Sequence, residues 1–87
     1  QQYLEKSRAR DGRDARVMRD LAATHARQGN NGMASLVTSE RYAMMGRLED
    51  AGIHAQRASD HLPRGSTGWR RAQDVLSAAK AAENKRR

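Results

Sequence analysis

At 87 residues the chain has room for one hydrophobic core, and without cysteine it can hold no disulfide, thiolate metal site or thiol nucleophile. Hydrophobic residues make up 37%, with no Phe, one Trp and two Tyr, so Ala, Leu, Met and Val must build the core. That excludes a β-sandwich, which needs β-branched and aromatic residues at period two. The net charge of +7 raises nucleic acid or an acidic surface as partner, but Arg8, Arg10, Arg13, Arg16 and Arg19 alternate with Asp11, Asp14 and Asp20.

Turn residues at Asp11-Gly12, Gly29-Asn30, Gly46 and Pro63-Arg64-Gly65 divide the chain into helical segments. The first, residues 1–10, offers only Tyr3, Leu4 and Ala9 for burial and reads as the end of a helix that begins upstream. The second runs from Asp14, its expected cap, to Gln28. Val17, Met18, Leu21, Ala22 and Ala26 form its apolar stripe, and Gly29 stops it.

The third spans Asn31 to Met45 with Met33, Leu36, Val37 and Met44 on one side, Ala34 and Tyr42 available for a second contact, and Gly46 as its stop. The fourth, Arg47 to Leu62, repeats Leu48, Ala51, Ala55, Ala58 and Leu62, and ends before Pro63. Its narrow alanine stripe predicts close approach by a neighbouring helix. The last starts near Ser66 or Thr67 and turns Trp69, Ala72, Leu76 and Ala79 inward. Its polar outer face suits the terminal unit of a stacked array. Residues 80–87 are expected to dissolve into a polar basic tail ending in Lys85-Arg86-Arg87. Trp69 has two readings, as a core anchor or as an exposed ring beside Arg70 and Arg71 that contacts a peptide or nucleic acid.

No apolar run approaches the ~18 residues that span a bilayer, and Gln1-Gln2-Tyr3 carries no signal pattern. The chain is expected to be one domain, residues 1–87, from a longer protein, with dimerisation through its cut amino-terminal side. His54 and His61 lie about 10 Å apart along one helix, too far to share a metal, and no carboxylate is spaced to complete a set with His25. Ser59, Asp60 and His61 are helix neighbours that point in different directions, so they cannot relay a proton. Ser66-Thr67-Gly68 lacks the glycine-lysine core and preceding strand of a phosphate loop and reads as a helix cap. No catalytic residue, cofactor or metal site is therefore expected in this chain.

His25-Ala26-Arg27-Gln28-Gly29 overlays Tyr42-Ala43-Met44-Met45-Gly46 at an offset of 17 residues, half the 34-residue tetratricopeptide period. Tyr42, Gly46, Ala51, Ala58 and Pro63 match that family's pattern in order and spacing; Met18, Leu21, Ala22, His25, Gly29 and Ala34 match the preceding unit more loosely. Ser35, Thr38 and Ser39 depart from it. The expected fold is all-α, a short antiparallel helix-turn-helix array of tetratricopeptide type. The stretch from Leu21 to Ala79 further resembles the carboxy-terminal tetratricopeptide domain of BepA-like periplasmic zinc metallopeptidases. It does so through Ser39-Glu40-Arg41-Tyr42-Ala43-Met44-Met45-Gly46-Arg47-Leu48-Glu49-Asp50-Ala51, Leu62-Pro63-Arg64-Gly65-Ser66 and Trp69-Arg70-Arg71-Ala72-Gln73-Asp74.

The resemblance implies a periplasmic module that binds protein or peptide for a parent peptidase acting in envelope quality control, with the zinc in the parent. The His-Glu-x-x-His motif of that activity is absent from these residues. The partner-facing positions by register are Arg16, Arg19, Thr38, Arg41 and Gln56. Leu21, Ala22, His25, Gly29, Ala34, Tyr42, Gly46, Ala51, Ala58, Pro63 and Trp69 are the expected packing positions. The alternative is a small basic helical domain that binds nucleic acid, which predicts a contiguous basic face and steep salt dependence.

Overall fold

Two of the three connections are built by the same local chemistry, at Gly29 and Gly46, 17 residues apart. At the end of the first helix the N–H of Asn30 donates to the carbonyl of His25 (2.8 Å) and that of Gly29 to Ala26 (3.0 Å). At the end of the second, Arg47 donates to Tyr42 (2.9 Å) and Gly46 to Ala43 (3.0 Å). Each is a Schellman closure, and each requires a residue at positive φ: Gly29 at 78° and Gly46 at 80°. His25 and Tyr42 thus each supply a carbonyl that closes the end of their helix.

The computed structural model describes the backbone of residues 2–86 and the side chains of residues 15–85. Four helices make up the fold: α1 (Gln2–Arg27), α2 (Asn31–Met44), α3 (Leu48–His61) and α4 (Thr67–Arg86). Connections this short reverse the chain, so successive helices pack side by side. Among the described residues helix α2 touches α1, α3 and α4, whereas α1 packs closely on α2 alone. The chain is an all-α array, and among the described residues no helix is long and apolar enough to cross a membrane.

Two boundaries differ from the sequence expectation. Residues 2–27 form one continuous helix, so Asp11-Gly12 does not divide it and Asp14 does not start one. A glycine inside a helix costs about 1 kcal/mol relative to alanine, which the hydrogen bonds of the turns on both sides outweigh. Tyr3, Leu4 and Ala9 lie outside the described side chains, as does that of Asp14. At the other end α4 continues through Arg86 instead of dissolving near residue 80, because nothing from Ala81 onward breaks it.

The core consists of Leu36, Ala51, Ala55, Ala58, Ala72 and Val75, flanked by Met33, Tyr42, Ala43, Leu62 and Leu76. Ala51, Ala55 and Ala58 are fully buried, as the stripe on α3 predicts. Among the described residues Leu36 is the one large apolar side chain with no exposure, with Val37 beside it on α2 nearly as buried, so the alanines of the neighbouring helices close around a single leucine. Gly32 is part of the same economy of space. A Cβ there would lie 2.9 Å from Leu62 Cδ2 and 3.2 Å from His61 Cβ.

Ser39, a departure from the repeat pattern, is fully buried on α2. Its hydroxyl donates to the Leu36 carbonyl at 2.7 Å, so a small polar side chain enters the core already satisfied. The stripe expected on α1 is corrected: Val17 and Leu21 are 56% and 44% exposed. Met18, Ala22 and His25 are half-buried instead, because among the described elements α2 alone covers α1, and one neighbour shields only one strip.

Candidate functional site: a cationic groove between three helices

Because among the described residues α1 packs on α2 and not closely on α3, an open groove of about 370 Å³ runs over α2. Ala34, Ser35 and Thr38 of α2 form its floor. Ala22, Ala23 and Ala26 with Arg19 form the α1 wall, and His54 and Arg57 the α3 wall. Each wall follows from helical spacing, since residues three or four apart share a face. The Thr38 hydroxyl donates to the Ala34 carbonyl at 2.8 Å, which leaves its methyl group and the alanines as a small-residue surface.

The α3 wall is held in place by an aromatic contact. His54 stacks on Tyr42 with ring centroids 5.4 Å apart and planes at 23°. The guanidinium groups of Arg41 and Arg47 lie 5.6 and 5.0 Å from the centre of the Tyr42 ring. Arg47 is also paired with Asp50 at 2.7 Å. Burial holds the His54 imidazole below its usual pKa, helped by the positive charge of Arg57 and opposed by Asp50. His54 is therefore a neutral ring in the groove at pH 7.

Among the described residues the formal charges in the groove are Arg19 and Arg57, and no carboxylate lines it. Neither arginine has an ion-pair partner among the described residues. Two other clefts among the described residues differ in this respect. Between α3 and α4 one is lined by Asp60, Arg64, Gln56, Ser59, Trp69 and Gln73, with Gln56 donating to Asp60 at 3.0 Å and Gln73 to Ser59 at 2.8 Å. The other carries Glu49, Lys80 and Glu83. Arg71 and Glu40 pair bidentately, with Arg71 Nε at 2.9 Å from Glu40 Oε2.

The partner positions expected from sequence separate in space. Arg19 and Thr38 meet in the cationic groove. Arg16 is exposed on α1, Gln56 lines the α3–α4 cleft, and Arg41 has a buried Nε without a hydrogen-bond partner beside Tyr42. Of the packing positions, Ala51 and Ala58 are buried, whereas Ala22, His25, Ala34, Tyr42 and Trp69 are half-buried. Leu21 is exposed, and the surface residues Gly29, Gly46 and Pro63 act through the turns.

Arg57 escaped the sequence reading: its polar position on α3 gives no sign of which helix it faces. His25 has a buried Nδ1 without a hydrogen-bond partner, and the Nδ1 of His61 lies 2.9 Å from the Arg57 carbonyl. Among the described residues no three His, Asp or Glu side chains converge as a metal site. Ser66 Oγ accepts from the Trp69 N–H at 3.2 Å, the bond of a helix cap. Comparison with protein-family models, curated proteins and solved structures found no match for this chain.

Proposed function

We propose that this chain is a polypeptide-binding module whose binding surface is the groove formed by α1, α2 and α3. The observation that carries the reading is the groove itself, with a floor of alanine, serine and threonine between the walls that α1 and α3 supply. Small side chains on all three elements let an incoming backbone or helix approach closely, and the half-buried Tyr42–His54 stack keeps the α3 wall rigid. A preformed surface binds with less ordering cost than one that must assemble on contact.

The sequence resemblance extends the proposal: the module would present substrates to a zinc-dependent peptidase of the periplasm, with all catalysis elsewhere in that parent. Reading the gene upstream of Gln1 for His-Glu-x-x-His tests that extension. The binding reading is tested by selecting peptides from a displayed random library on the intact chain and mapping them by amide chemical shifts. Shifts centred on Ala22, Ala26, Ala34, Ser35 and Thr38 support it. No enrichment, or shifts centred on the α3–α4 clefts, overturns it.

A further inference from the structure

Charge is segregated among the clefts of this fold. The α1–α2–α3 groove has arginine on both walls, Arg19 and Arg57, with no carboxylate in its lining and no ion-pair partner for either arginine among the described residues. The two α3–α4 clefts contain acids, Asp60 in one and Glu49 with Glu83 in the other. Two exposed arginines elsewhere are matched, Arg71 by Glu40 and Arg47 by Asp50. Two arginines on opposite walls of one groove with a small-residue floor give that surface a positive potential that a carboxylate would complement.

We infer that the occupant of this groove is an acidic polypeptide segment, with carboxylate side chains bound by Arg19 and Arg57 and small residues set against Ala22, Ala26, Ala34 and Ser35. The inference rests on the binding reading above and adds the chemistry of the partner. Nucleic acid is the weaker occupant for two reasons on the same surface. The aromatic ring of the groove, His54, has a face engaged by Tyr42, which competes with base stacking. The guanidinium groups flank a floor of methyl groups and do not form an extended phosphate-tracking row.

The test uses the full chain and fluorescence anisotropy with three labelled probes of equal length: alternating Glu and Ala, alternating Gln and Ala, and oligo-dT. Two charge-matched variants, Arg19→Glu/Arg57→Glu and Arg64→Glu/Arg70→Glu, separate local from net charge, and circular dichroism checks that both fold. The expected result is that the Glu/Ala peptide binds at least ten times tighter than the Gln/Ala peptide. The groove pair should weaken it at least tenfold and the control pair by less than about threefold, since direct charge-assisted hydrogen bonds exceed diffuse, screened attraction.

Equal losses in the two variants would overturn the inference in favour of net charge. Tighter binding of oligo-dT that is lost in the groove pair would overturn it in favour of nucleic acid. Groove-dependent binding of the Gln/Ala peptide at equal strength overturns the acidic partner while leaving the polypeptide-binding reading standing. Absence of saturable Glu/Ala binding also overturns the inference, and the peptide selection then decides the broader reading alone.

Discussion

Leu36→Ala should be the most destabilising single truncation in this protein. Leu36 has no exposed surface and packs among Ala51, Ala55, Ala58, Ala72 and Val75, which are too small to collapse into the space it leaves. Removing its branched end loses about 2 kcal/mol of transfer free energy, and the unfilled cavity raises the total to about 3 kcal/mol. For a domain of this size the whole stability is on the order of 4–13 kcal/mol, so the variant should sit near the edge of folding. Urea titration followed by far-ultraviolet circular dichroism should show the midpoint falling by about 2 M. Thermal unfolding should fall by about 15 °C. Ile53→Ala, at a side chain 52% exposed, should change stability by no more than about 0.5 kcal/mol. A loss at Leu36 below about 1 kcal/mol, or one no larger than at Ile53, would refute the single-leucine core.

Gly46→Ala forces a side chain into positive φ and should cost about 1 kcal/mol, visible as a lower melting temperature without loss of helix signal below it. Ala55→Leu overpacks a fully buried alanine and should destabilise by about 2 kcal/mol in the same titration; a neutral result would mean the helices around it part freely. The His54 imidazole should titrate below 6.5 by NMR, since burial and Arg57 hold its pKa down. Because the unfolded chain then takes up the proton more readily, stability is full above 6.5 and declines as pH falls through that value toward the folded-state pKa; a His54→Gln variant should flatten that slope, and an unchanged slope counts against the assignment. A double-mutant cycle on Glu40→Gln and Arg71→Gln should return a coupling of about 0.5–1 kcal/mol that weakens in high salt, the pair being partly exposed.

The amino-acid sequence by itself determined the all-α class, the turns and the alanine face of α3. These are local matters. Gly29 and Gly46 close their helices through bonds within five residues, Ser66 caps its own helix, and Ala51, Ala55 and Ala58 recur at helical spacing. It misjudged Asp11-Gly12 because a single glycine weakens a helix without ending it, and flanking helical turns decide the outcome. Tertiary structure alone decided which polar residues meet. Arg19 and Arg57 are far apart in sequence and become neighbours of one groove because α2 lies between α1 and α3. The same packing exposes Val17 and Leu21 while covering Met18 and Ala22. Helical periodicity defines the faces of each helix, but the angle between helices determines which face a neighbour covers.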